Sequence, residues 1–418
     1  MRDLIRRGVL LFVLGITTVA ASAGESVSAS PGIVVPIGGA LRYNNDEVWS
    51  RLVELAGGKG ARFAVLPTAA GNPQRSGRLT AEALTARGAQ VDVLPVSARW
   101  PDTDLAAVVE DPALAARVER AQGVMFTGGA QERIVDALAP GGKETRLLRA
   151  IRGVLTRGGV VAGTSAGAAV MSSVMFRDAQ DSHAILKGRM TDGKEVDRGL
   201  GFVGNELFID QHFLRRGRIG RMLPLMHAKG YRLGLGIEEN SAAIIANGKI
   251  EVIGAKGALL VDLTDAQHDK KNAAFTISNA RLSYLDRGDR YDLATRRGQP
   301  SANKAMDLRL RPDQPGAHFE YPQEVFYMDI LADNVIANAM GRLMDSPLPK
   351  VSGLAFNARP AADDMRPDLG FEFTLSRDER TEGWFTGSFG GEDYTIFDMR
   401  LDVRPVKIST PLYAPWSN

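Results

Sequence analysis

The chain has 418 residues, 44% of them hydrophobic and 24% charged, the balance of a globular protein rather than a disordered or fibrous one. It contains no cysteine, which excludes disulfide frameworks, thiolate metal sites and a cysteine nucleophile, so covalent catalysis would rest on Ser, Thr, Lys or a carboxylate. Setting aside Arg2, Arg6, Arg7 and Asp3 of the N-terminal segment, the 51 basic and 49 acidic residues become 48 of each, which leaves no global field for gripping nucleic acid or an anionic membrane.

The chain opens with three arginines within residues 2–7, an apolar run from Val9 to Ile16, and a small-residue site, Ala21-Ser22-Ala23, before Gly24. This layout predicts a secretory signal peptide over residues 1–23, because the apolar run is well short of the ~20 residues of a spanning helix. The mature protein is therefore expected to be secreted and free of the membrane. The Arg6-Arg7 pair leaves open whether a twin-arginine or a general route is used.

From Gly32 to about Leu263, β-branched runs alternate with helical patterns, the rhythm of an α/β fold whose open, mostly parallel sheet carries helices on both faces. Strands are predicted over Ile33–Ile37, Phe63–Leu66, Val91–Leu94, Val124–Phe126, Val160–Ala162 and Leu233–Ile237. Helices are predicted over Glu47–Ala56, Leu79–Arg87, Ala113–Ala121 and Arg146–Arg157, and an antiparallel hairpin around Asn247-Gly248. After Lys270-Lys271-Asn272 the pattern changes to a C-terminal α+β appendage over 270–418. It has strand-like pieces at Ala274–Leu285 and Phe371–Leu375, and one amphipathic helix from about Glu324 to Asp345.

The chemistry concentrates at Val160-Val161-Ala162-Gly163-Thr164-Ser165-Ala166-Gly167, an apolar strand, a G-x-S-x-G turn and a small-residue helix start. Such a turn forces Ser165 into unusual backbone geometry and leaves room only for glycine two residues to either side. It also aims the Ala166 N–H toward the place where an oxyanion would form. The base for such a serine must come from His183, His212, His227, His268 or His318. His212 is singled out because it follows the strand-like run ending at Gln211. Either carboxylate of the Glu238-Glu239 pair, at another strand end, could orient it. There is no H-E-x-x-H for a hydrolytic metal, and Gly57-Gly58-Lys59-Gly60 lacks the P-loop spacing. Neither a metal nor a cofactor is expected.

The segments Phe126-Thr127-Gly128-Gly129, Gly163 to Ala168, Asp210 to Arg221 and Gly236 to Ala242 resemble, in order and spacing, the signature blocks of cyanophycinases. These are serine peptidases related to dipeptidase E, on a fold similar to class I glutamine amidotransferases. The resemblance spans about residues 31–265 and implies a triad of Ser165 as nucleophile, His212 as base and acid, and Glu239 as its orienter. It further implies an oxyanion hole from Ala166 with one N–H of the Gly128-Gly129 loop. The implied substrate is cyanophycin, a poly-α-aspartate with arginine on each β-carboxyl, released as β-Asp-Arg dipeptides. Gln131, Asp210, Gln211, Arg216, Arg218 and Arg221 match the family's substrate pocket, and a homodimer is implied. Arginine forks suit such a zwitterionic polymer better than lysine point charges do. Two departures stand out: Ala130 follows the paired glycines where an acidic or amide residue is usual, and Glu238 stands in place of an aspartate. Readings that compete with polymer cleavage are an exopeptidase trimming short Asp-containing peptides and a non-catalytic polymer-binding protein.

Overall fold

The computed structural model describes residues 32–177, 181–304, 308–387, 393–409, 411–413 and 416. The expected signal segment lies outside them. Strands β1 (Ile33–Ile37), β2 (Arg62–Leu66), β3 (Gln90–Val93), β4 (Gly123–Phe126) and β5 (Val160–Thr164) pair in parallel in the order β3-β2-β4-β5-β1. Strands β6 (Val174–Phe176) and β7 (Val196–Arg198) form a separate two-stranded ribbon. Next, β8 (Leu207–Gln211) and β9 (Leu233–Ile237) pair with each other in parallel. The hairpin of β10 (Ser241–Ala246) and β11 (Lys249–Gly254) adds antiparallel to β1, and Arg290–Asp292 and Arg297–Gln299 complete a nine-stranded sheet.

Helices cover both faces of the parallel part, as the alternation of apolar runs and amphipathic stretches predicts. Leu105–Glu110, Pro112–Glu119, Gln131–Leu138 and Arg146–Thr156 bury Leu114, Ile134, Leu147 and Ile151 on one face. Asp46–Leu55 and Pro73–Thr85 bury Trp49, Leu52 and Leu84 on the other. The second of these starts earlier than its apolar pattern, because the Asn72 side chain caps Arg75 N–H and Pro73 takes the first helical position.

A second sheet departs from the single sheet that the sequence pattern predicts. Strands β8 and β9 do not extend the first sheet. They continue through β12 (Ala258–Asp262) and β13 (Ile277–Leu285) into Asp393–Lys407, Leu369–Ser376, Lys350–Ala355 and Phe326–Tyr327. The expected change of pattern near residues 265–270 thus falls between two strands that are hydrogen-bonded side by side. One face of this sheet packs against the β10–β11 hairpin through Leu235, Ile237, Ile250 and Leu260. The other carries the helices Ile219–Lys229 and Val335–Met344 over a core that includes Phe208, Phe213, Met340 and Phe373.

The amphipathic helix is shorter than its spacing suggests. Phe326–Tyr327 is a strand and Ile330 N–H bonds Leu354 O, so only Val335–Met344 is helical. Ile330 and Leu331 are nonetheless buried, from a loop rather than a helix. Among the described residues, no helix is long and apolar enough to cross a membrane.

Candidate active site

Strand β5 lies between β1 and β4, and Ser165 sits immediately past its C-terminal end, the edge at which open α/β sheets carry their sites. Ser165 has φ 52° and ψ −109°, outside the regions open to L-residues at low cost. Packing holds it there. A Cβ on Gly163 would lie 2.5 Å from Gly167 O, one on Gly167 would lie 2.7 Å from Phe126 Cβ, and Ser165 N–H bonds Ile37 O at 2.9 Å.

Ser165 Oγ lies 2.9 Å from His212 Nε2, and His212 Nδ1 lies 2.6 Å from Glu239 Oε1. Since the carboxylate can only accept, Nδ1 carries the ring proton and Nε2 is left to accept from the serine hydroxyl. Burial would raise Glu239, yet the His212 hydrogen bond and the nearby Arg215 and Arg216 charges hold it below the usual carboxylate range. Burial lowers His212 below its ordinary value, the bond to Glu239 works against this, and the charges of Arg216 and Arg218 add to the lowering. The lowering favours the neutral imidazole, the form a base needs.

Glu238 serves otherwise. It is 0% exposed, and its Oε1 accepts the N–H groups of Leu214 and Arg215 at 3.1 and 3.2 Å, pinning the turn that follows His212. Burial pushes this carboxyl upward. Of the two glutamates, Glu239 thus contacts the ring and Glu238 the backbone.

Ala166 and Gly128 flank the serine. Ala166, first in the four-residue helix Ala166–Ala169, has no intrahelical acceptor for its N–H. Gly128 lies so close that a Cβ on it would come within 3.3 Å of Ser165 Cβ, and Gly129, at φ 144°, would collide with Ala69 O if it carried a side chain. Gly38-Gly39 is a part of the site that the motifs do not announce. Gly38 O accepts His212 N–H at 2.7 Å, and a Cβ on Gly39 would lie 2.3 Å from the His212 ring. A glycine pair directly after an apolar strand is the signal that could have found it.

The remaining pocket residues do not sit alike. Asp210, Gln211, Arg218 and Arg221 form a buried network. Arg221 Nε and Nη2 reach Asp210 at 2.8 and 2.6 Å, and Arg218 Nη1 reaches Gln211 Oε1 at 2.6 Å and Asp210 at 3.3 Å. Burial and the neighbouring Arg221 charge lower Arg218 to about 9, which leaves it cationic at neutral pH. The Arg221 guanidinium stacks 4.2 Å from the Phe176 ring centroid, and Phe176 O accepts Gln131 Nε2 at 2.8 Å. Arg216 alone of the three arginines is exposed, and its side chain makes no hydrogen bond or ion pair with a described residue. It also precedes the helix, which begins at Ile219 with Arg218 as its cap.

His183 pairs with Asp181, while the rings of His227 and His268 lie tilted against each other with centroids 4.5 Å apart. Among the described residues no cluster of three His or carboxylate side chains could hold a metal.

The model of peptidase family S51 matches residues 37–253, a little over half of the chain. The chain belongs to peptidase family S51. It is a serine-type peptidase, a hydrolase on an α/β fold. The matched region contains Ser165, His212 and Glu239 and ends before β12 and every later strand of the second sheet. Over 281 residues the chain is 32% identical to the cyanophycinase of Synechococcus elongatus, a match covering 65% of this chain and 82% of that one. It is 30% identical over 286 residues to the cyanophycinase of Trichormus variabilis, covering 66% and 90%. A solved peptidase from an acI-B1 actinobacterium superimposes with a TM-score of 0.43 and 21% identity, covering 54% of this chain and 89% of that one.

Proposed function

We propose that this S51 peptidase cleaves the α-peptide bonds of cyanophycin and releases β-Asp-Arg dipeptides through an acyl-enzyme. The observation that supports the reading most is the Ser165–His212–Glu239 relay on a strained turn, beside the exposed Arg216 side chain, which has no hydrogen-bond or ion-pair partner among the described residues. Ser165 Oγ adds to the backbone carbonyl carbon as His212 Nε2 takes its proton. The tetrahedral oxyanion is held by Ala166 N–H and one N–H of Gly128-Gly129, and His212 returns the proton to the leaving amine. Water, deprotonated by the same ring, then releases the acyl group. Glu239 fixes the tautomer and offsets the imidazolium charge as it forms.

Arg216 is assigned to a substrate carboxylate, for which a fork donor with no competing partner is suited. Asp210, Gln211, Gln131, Arg218 and Arg221 shape the floor of that pocket. The sequence layout before Gly24 supports export, and an exported enzyme would act on polymer released from other cells. The family resemblance supports a homodimer.

The test is incubation of the purified protein with insoluble cyanophycin and mass spectrometry of the soluble products. Accumulation of β-Asp-Arg is expected. Turnover of short Asp-containing peptides with the polymer left intact would replace this reading with the exopeptidase one.

A further inference from the structure

The turn that carries Arg216 is clamped by a part of the chain outside the S51 region. Arg215 Nη1 forms an ion pair with Asp333 Oδ2 at 2.9 Å. Asn334 N–H bonds Leu214 O at 3.3 Å. On the other side of Arg216, Gly217 lies against Leu331, so close that a Cβ would come 2.2 Å from Leu331 O, and its φ of 55° also favours glycine. Leu331 is buried and reaches toward Gly220 as well. The clamping loop is itself anchored, since Ile330 N–H bonds Leu354 O in the second sheet. Both neighbours of Arg216 are thus held by residues 329–334, while Glu238 pins Leu214 and Arg215 from the peptidase side.

We infer that the loop Asp329–Asn334 is a positioning element for substrate. By holding Arg215 and Gly217 it sets the direction in which Arg216 meets the carboxylates of an acidic peptide backbone. Asp333 has a second effect: it draws the neighbouring Arg215 guanidinium to the rim, so that the substrate faces one cation from this turn instead of two. This inference rests on the reading of Arg216 as the substrate contact.

The experiment measures kcat and KM on soluble cyanophycin, together with thermal midpoints, for the full chain carrying Asp333→Ala, Asp333→Glu, Arg216→Gln, or Asp333→Ala with Arg216→Gln. Asp333→Ala should raise KM about fivefold or more with kcat changed less than about twofold, because the relay through Ser165 is untouched. Its thermal midpoint should stay within about 2 °C of the parent, since a half-exposed ion pair contributes little stability. Asp333→Glu keeps the carboxylate and should hold KM near the parent value. In the Arg216→Gln background, Asp333→Ala should have no further effect on KM, because residues acting through one contact are not additive. An unchanged KM in Asp333→Ala beside a raised KM in Arg216→Gln overturns the positioning role and leaves the Arg216 contact standing. An equal effect of Asp333→Ala in both backgrounds also overturns it. An unchanged KM in Arg216→Gln overturns the contact and the positioning role together.

Discussion

His212 and Glu239 meet at 2.6 Å although the parallel ladder that brings them together ends at Gln211 opposite Ile237. The nearer residue in that register, Glu238, turns away to cap the backbone of Leu214 and Arg215, and the next one reaches the ring. Glu239→Gln should therefore lower kcat by several orders of magnitude, because an amide can present the wrong partner to Nδ1–H. Glu238→Gln should act mainly on stability, by about 1–3 kcal/mol, through the turn it caps. Parallel measurement of turnover and thermal unfolding separates the two, and the opposite ranking in kcat would refute the assignment.

Ser165→Ala should cost roughly 10⁴-fold or more in kcat while leaving the fold intact, since the members of such a relay act as a unit. Labelling by a fluorophosphonate should vanish in the same variant. Near-normal turnover would rule out the serine mechanism.

The rate should rise with pH through an apparent pKa below the ordinary histidine value, because His212 must lose its proton to act and burial lowers it. Arg216 contributes to that lowering. Arg216→Gln removes a positive charge, stabilises the imidazolium and should move the acid limb of kcat/KM to higher pH. A limb that stays in place or moves down would contradict the electrostatics of the site.

Arg216→Lys keeps the charge and loses the fork, so kcat/KM on cyanophycin should fall by about tenfold, on the order of 1.4 kcal/mol, with an unchanged thermal midpoint. Asp210→Ala should behave differently. It leaves Arg218 and Arg221 buried without their carboxylate and should cost about 3–5 kcal/mol of stability. Chemical denaturation reads this directly, and a fully stable Asp210→Ala protein would return those arginines to the substrate.

Much of this site is legible in the order of residues alone. Four of the five parallel strands announce themselves as short apolar runs, because strands buried on both faces have no polar side, while the edge strand β3 is only partly buried and carries Asp92. Ser165 and His212 stand out because each comes directly after a strand end, where such folds open to solvent and substrate. The roles of the arginines are not legible, since nothing in the spacing of Asp210, Arg218 and Arg221 tells that a strand end and a helix start fold onto one another to bury all three. The 15-residue strand Asp393–Lys407 also escapes. Its apolar residues alternate, but the phase slips at Asp398, which has φ 57° and lies where the pairing with β13 skips between Leu282 and Tyr284. A period-two pattern broken in the middle reads as two short fragments. The overlong helix fails for the converse reason: Ile330 and Leu331 fall at helical spacing while belonging to a loop.

The continuity of β12 and β13 bears on how the relay is supported. Ser165 rides on a sheet whose parallel strands all precede residue 165, whereas His212 and Glu239 ride on β8 and β9. The apolar face beneath those two strands, with Phe208 and Phe213, packs with Met222 and Met226 of the helix Ile219–Lys229 as well as with Ile330, Leu331 and Met340. Support for these two strands is thus shared between the S51 region, through that helix and the β10–β11 hairpin, and the C-terminal strands and helix. The contacts that fix His212, from Gly38, Gly39 and Glu239, all come from the S51 region, while the sheet under it takes part of its apolar cover from the strands and helix that follow.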